Sequence, residues 1–567
     1  MTPEERFKIT SNDYVDRFIQ YYGSAAALER NRENSVHVMN DRYAVEYIPA
    51  ATFASRSLSE IGYASIPNCY GLESERSLEV SGVIRIRQAP AFGLRGNGVL
   101  IGIIDTGIDY TNPIFLRSDG TSKIVAIWDQ TIDSEDRYPE GTFYGTEFTA
   151  EEINQALASD DPYAIVPSRD ELGHGTALAG IAAGNESPEN NFSGVVPDAE
   201  LVIVKLKEAK PVIRNIFAIP LDVPAFQEND IIWAAQYLIS VARRLNRPIS
   251  ICVGLGSSQG AHDGRGTLSA ILSVGADFSG VTISISAGNE GNMRRHYFGV
   301  IDREAEYNTV ELNVAEGDGS FTMELWGAAP STYSVDITSP SGEYIPRIAE
   351  GLRVSRNISF IFEATTIVID YMMIESQVGD QLILFRFNQA TAGVWTFQVY
   401  RRGDLPGSFH IWLPMGDFIS EDTYFIQSNP YTTVTSPGNS LAPITVTAYN
   451  PVNSTLYQNA SKGYSRINEI KPELAAPGVN ISAPTLEQGF ANFTGTGIAA
   501  AHTAGITAMM LEWGVVRGNY PGIDAVEVKK FLIRGARRSP RVQYPNRDWG
   551  FGMIDIYNVF DMLRSDG

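Results

Sequence analysis

Residues Phe493 to Gly505 read FTGTGIAAAHTAG. A Gly-Thr turn runs here into an Ala-rich helix, and the residue that opens the helix, Gly497, has no side chain. In open α/β sheets, sites are built where strands end and helices begin. The question is therefore what surrounds this turn.

Outward from it, strands and helices alternate. GVLIGIIDTG (98–107) is a continuous apolar run ending in a turn, as a buried parallel strand requires. GHGTALAGIAAG (173–184) is a turn followed by a helix of small residues, and AELVIVKLK (199–207) is a second buried strand. DIIWAAQYLISVARRLN (230–246) is an amphipathic helix whose basic end suits its dipole. ISICVGLG (249–256) and GVTISISAGN (280–289) are further apolar strands ending in glycine, and after residue 430 the pattern returns with PITVTAYN and KPELAAPGVNI. Such alternation predicts an α/β fold with a mostly parallel sheet and helices on both faces.

Two stretches depart from it. Residues 1–76 predict a small α+β unit: NDYVDRFIQYYGS reads as a helix, and Tyr43, Val45 and Tyr47 alternate as in a half-buried strand. Residues 296–430 hold short strands between Gly, Pro, Ser and Asp turns, among them TVELNV, FTMELW, YSVDIT, ISFIFE, TIVIDYMM, LILFRF, VWTFQVY and FHIWLP. That spacing predicts an all-β sandwich or jelly roll inserted into the α/β domain, which is thereby split into 77–295 and 431–567.

The chain has 567 residues, 44% hydrophobic and 19% charged, with a net charge of -22 and a pI near 4.8. Surplus acid excludes a polyanion such as nucleic acid as partner and suits a soluble surface. Cys69 and Cys252, the only cysteines, fit a reduced compartment or a fold without disulfides. The N-terminus lacks a signal-peptide pattern and no apolar run is long enough to span a bilayer, so cytoplasmic synthesis without a membrane span is expected.

Three chemical residues sit at the ends of these segments: Asp105, His174 and the Gly497 position. An Asp, a His and a nucleophile position in that order form a triad in which the His accepts the hydroxyl proton and the Asp fixes its tautomer. Asp105-Thr106-Gly107, His174-Gly175-Thr176, Ala287-Gly288-Asn289, Ala475-Ala476-Pro477-Gly478 and Gly495-Thr496 resemble, in order, the motifs of subtilisin-like serine proteases. The arrangement is most similar to the Csp germination proteases and pseudoproteases of spore-forming clostridia and to related subtilases of Firmicutes.

The resemblance implies that Asn289 is the oxyanion-hole side chain and that Val253-Gly254-Leu255-Gly256 pairs with substrate backbone. It implies that residues 1–76 are a prodomain, chaperone and inhibitor, processed near Ser74 to Ser77, a junction placed by aligning Ala89-Pro90-Ala91. It implies protein or peptide substrates, or the prodomain tail itself in the cleft, with a sibling Csp protease or a cortex-lytic enzyme precursor as partner and a spore-associated location. Where the family carries its nucleophilic Ser, this chain carries Gly497, so it is expected to be inactive with its prodomain uncleaved. Thr494 and Thr496, three residues and one residue before Gly497 in a tight turn, point elsewhere. A silenced protease and a pseudoprotease with a binding or regulatory role in germinant signalling both fit.

No cofactor is required. Calcium, bound by many subtilases, has no loop here with carboxylates at ligand spacing. His502 reads as packing, and His37, His262, His296 and His410 show no ligand spacing, so no metal is expected.

Overall fold

The computed structural model describes residues 2–30, 34–54, 56–73, 93–349 and 351–565. Its centre is a sheet in which Leu474–Pro477, Ile444–Asn450, Val281–Ser286, Ile249–Val253, Leu100–Asp105, Glu200–Lys205 and Ile124–Asp129 lie side by side and parallel. Short antiparallel strands, Thr455–Leu456 and Thr146–Thr149, pair with Ile444–Asn450 and Ile124–Asp129.

Both faces of the sheet are covered, which is why its strands are apolar throughout rather than alternating. His174–Ala183 and Thr496–Leu511 pack on one face through small residues such as Ala177, Ala500 and Ala504. Glu228–Leu245 and Thr267–Ala276 cover the other through Ile231, Leu238 and Leu268. Among the described residues no helix is long and apolar enough to cross a membrane.

Residues from His296 to Phe425 form two antiparallel sheets, one of six strands and one of five, closed over a core that includes Phe385, Trp395 and Phe397. The ISFIFE run is not one strand. The strand is Arg353–Ser359, and Ile361 and Phe362 stand 83% and 80% exposed at the turn that follows, so an apolar run there marks a hairpin tip. Trp395 is fully buried among aromatic neighbours. Trp395→Ala is expected to cost about 3–5 kcal/mol through the cavity it leaves, read as a lowered denaturant midpoint for this sandwich.

In the N-terminal unit, NDYVDRFIQYYGS is not a helix. The helix lies earlier, at Pro3–Thr10, capped by the Thr2 hydroxyl with Glu5 reaching back, and Tyr14–Gln20 is a strand paired antiparallel with Tyr43–Pro49. Tertiary contact decides this: Asp16, on a face a free helix would expose to water, is buried against Lys210. Nor is the second strand half-buried. Tyr43 to Ile48 are all buried, with Tyr43, Val45 and Tyr47 packed on Trp233 and its neighbours and Ile48 sharing a core with Ile213 and Trp412. Residues up to Leu72 are thus wedged between the α/β domain and the β sandwich, and Tyr63 donates to Glu324 of the sandwich at 2.7 Å.

Candidate active site

Asp105 ends its strand fully buried, and its Oδ1 lies 2.7 Å from His174 Nδ1. The Thr106 N–H donates to the same oxygen at 2.8 Å. Burial opposes a charge on His174, yet the Asp105 carboxylate beside it, with Asp170 and Glu73, holds the imidazole above its ordinary value. His174 Nε2, the atom that would take a proton from a hydroxyl, is buried with no hydrogen-bond partner among the described residues.

The turn before His174 is organised by Asp170. Its Oδ1 accepts from Thr106 Oγ1, Leu172 N and Gly173 N, and its Oδ2 from Thr176 N and Thr176 Oγ1, at 2.7 to 3.1 Å. One carboxylate therefore ties the Asp105 loop to the open N–H groups of the His174 helix. The sequence reading missed it, although an Asp four residues before the helix was a visible capping signal. Asp170→Ala is expected to cost about 3 kcal/mol and to broaden the His174 imidazole resonances in NMR, since several buried donors lose their acceptor.

The opening turn meets this pair from the helix Thr496–Leu511. Asn289 Oδ1 accepts from Thr496 N and Thr496 Oγ1, both at 3.1 Å, and Gly288 N donates to Thr496 Oγ1 at 3.0 Å. The Asn289 amide is thereby oriented at the cleft, but among the described residues its nitrogen does not donate to the carbonyl that lies there. That carbonyl is Glu73's, and the Gly497 N–H donates to it at 2.9 Å.

The tail that carries Glu73 is a strand, Cys69–Leu72, placed between two others. Leu72 and Gly71 pair antiparallel with Leu255 and Gly256, and Tyr70 and Cys69 with Phe226 and Gln227. Glu73 N then donates to Gly254 O at 3.3 Å. So Gly254, Leu255 and Gly256 contact an extended chain by main-chain hydrogen bonds, whereas Val253 belongs to the central sheet. The second strand, Phe226–Gln227, gave no sequence signal because it is two residues long. The segment Ser74 to Ser77 and Ala89-Pro90-Ala91 lie outside the described residues. The carbonyl held at Gly497 belongs to the residue just before that segment.

A Cβ at position 497 would stand 2.9 Å from Glu73 O, 3.4 Å from Glu73 C and 3.4 Å from Gly254 O. A hydroxymethyl there would face the Glu73 carbonyl carbon, with His174 as base and the 497 N–H as oxyanion donor. The arrangement has the parts of acyl transfer except the nucleophile.

The remaining histidines do other work. His262 stacks on Trp412 at 4.1 Å, and His296 Nε2 lies 2.9 Å from His410 Nδ1, both rings stacking on the same Trp. The three meet at the seam between sandwich and α/β domain, and burial lowers His262 to about 4 and His296 to about 3. His37 stacks on Trp233 at 4.2 Å, and His502 is buried within its helix. Among the described residues no three His, Cys, Asp or Glu side chains are grouped to hold a metal ion. Cys69 and Cys252 are both free and buried.

The family model of the subtilases, the S8 peptidases, matches residues 96–318 and 422–552, more than half of the chain, and leaves out the centre of the β sandwich. The solved structure of the Clostridium perfringens CspB protease superposes with a TM-score of 0.74 at 28% identity, over 85% of this chain and 97% of that one. The psychrophilic protease S41 matches at 15% identity and a TM-score of 0.41, over 84% of this chain and 97% of that one. With the Asp105–His174 pair, the oriented Asn289 and the strand-bound cleft in the order of the matched segments, the chain belongs to the subtilase family of serine peptidases.

Proposed function

We propose that this chain is a subtilisin-type peptidase scaffold for protein substrates that keeps its own N-terminal tail in the cleft and does not cut it. The observation that supports this is the Glu73 carbonyl, bonded to the Gly497 N–H at 2.9 Å at a position with no hydroxyl to attack it. Residues 1 to 73 then act as a folding partner and plug, sharing cores with the domain they cover. Likeness to CspB suggests a setting in spore germination, with a sibling protease or a cortex-lytic enzyme precursor as partner.

The test is intact mass after expression. A single species of 62.1 kDa is expected, and a cut after residue 73 would sink the reading.

A second reading, a pseudoprotease that binds and regulates, draws support from the three-way packing. Trp412 and Trp326 of the sandwich share a core with Phe53 and Ile66 of the N-terminal unit and Ile213 of the α/β domain, so a partner on the sandwich would bear on the plug. Inertness even after a serine is placed at 497 would favour it.

A further inference from the structure

The side chain of Glu73 does not lie along the surface of the cleft. It is fully buried, and its Oε1 accepts from Thr435 Oγ1 at 2.7 Å. The Ser286 hydroxyl lies near it, and among the described residues its Oε2 is buried without a hydrogen-bond partner. Two glycines make the space. A Cβ on Gly256 would fall 1.9 Å from Glu73 Oε1, and one on Gly288 would fall 2.7 Å from Thr435 Oγ1. Among the described residues no Lys or Arg pairs with this carboxyl, which is unusual for a buried acid. The charged groups that bear on it are Glu290 and His174.

We propose that Gly256, Ser286, Gly288 and Thr435 form a selective pocket for a side chain of glutamate length ending in an uncharged acid or amide, and that Thr435 determines this choice. The inference rests on the docked-tail reading above and adds the chemistry that the cleft reads. Hydroxyls satisfy a neutral acid or a carboxamide equally well, whereas a carboxylate buried without a cation is costly. Any chain that replaces the tail, from another protein, must then be extended against Leu255–Gly256 and present Glu or Gln at this position.

Occupancy by the tail consequently depends on pH. Burial pushes Glu73 up to about 7 from an ordinary 4.5. Glu290 adds to the rise, while the Ser286 and Thr435 hydroxyls and His174 oppose it. A raised acid favours docking fully below the free value, and the advantage is lost as pH climbs through the docked one. Between pH 4.5 and 7 the docking constant should fall about 80-fold.

Hydrogen exchange on the full chain tests this through peptides covering Cys69–Glu73 and Gly254–Gly256, with protection corrected for the intrinsic pH dependence of exchange. The parent is expected to lose about 30-fold in protection between pH 5.5 and 8.5. Glu73→Gln should stay protected at both values, and Thr435→Val should lose about tenfold at both. Glu73→Lys should be unprotected in the cleft while the strand Leu100–Asp105 keeps its protection, which shows that the variant has folded. A parent as protected at pH 8.5 as at 5.5, together with a protected Glu73→Lys, overturns the pocket alone. A parent unprotected in the cleft at every pH overturns the docked tail, and the pocket with it.

Discussion

Gly497→Ser is expected to convert an intact chain into two fragments, residues 1–73 and 74–567. The new Oγ would add to the Glu73 carbonyl carbon while His174 Nε2 takes its proton, and the negative oxygen would be held by the residue 497 N–H that already donates to it at 2.9 Å. The bond to Ser74 then breaks as His174 returns the proton to the departing nitrogen, and water releases the acyl group. Loss of the nucleophile from such a triad costs about a million-fold in kcat, so the gain on restoring it should be of that order. A Cβ 2.9 Å from Glu73 O is closer than a side-chain carbon comes to a backbone oxygen, so the tail backbone has to shift to admit the hydroxymethyl. Mass spectrometry decides the matter: fragments beginning at Ser74 are the expected result. A single uncut species would show that the oxyanion site, where Asn289 does not yet reach the carbonyl, needs more than a hydroxyl.

The second large effect is at the seam between the N-terminal unit and the α/β domain. Asp16 and Lys210 are both buried, with Lys210 Nζ 2.6 Å from Asp16 Oδ1. Gln227 Nε2 and Asn229 Nδ2 donate to Asp16 Oδ2 at 3.1 and 3.0 Å. Asp16→Ala strips a buried ammonium of its counter-charge, leaving Lys210 with only the Lys8 carbonyl, and leaves Gln227 and Asn229 with weaker acceptors in Asn229 Oδ1 and Asp230 Oδ1. About 3–5 kcal/mol of docking should be lost, because breaking one side of a buried pair strands the other. The paired change Asp16→Leu with Lys210→Met should recover most of it, since apolar groups of similar size replace such a pair at little cost. Thermal unfolding followed at residues 14–20 by hydrogen exchange measures both. Equal stability of Asp16→Ala and the parent would mean that the apolar contacts of Phe18, Val45 and Tyr47 hold the N-terminal unit unaided.

Much of this was legible in the residues themselves. Buried parallel strands announce themselves as unbroken apolar runs, and GVLIGIIDTG, AELVIVKLK and GVTISISAGN could hardly be anything else. Small-residue helices after HGT and GTG could pack only against such a sheet. The positions of Asp105, His174 and Gly497 followed from strand ends. Those are local properties, set by neighbours in the chain.

What the chain alone did not decide depends on contacts between distant segments. Tyr14–Gln20 was read as a helix because its partners, Tyr43–Pro49 and Lys210, lie far off in sequence, and pairing overrides local preference. ISFIFE was read as strand because apolar residues at a hairpin tip look like apolar residues in a core. Thr435 gave little sign, since it acts through a geometry that only the folded chain supplies. The sequence by itself determined the family fold and singled out Asp105, His174 and Gly497 at the ends of its segments. The tertiary structure alone decided which carbonyl lies at the silent position and which pocket receives its side chain, because both require residues 73, 256, 435 and 497 to converge, and no pattern along the chain encodes that convergence.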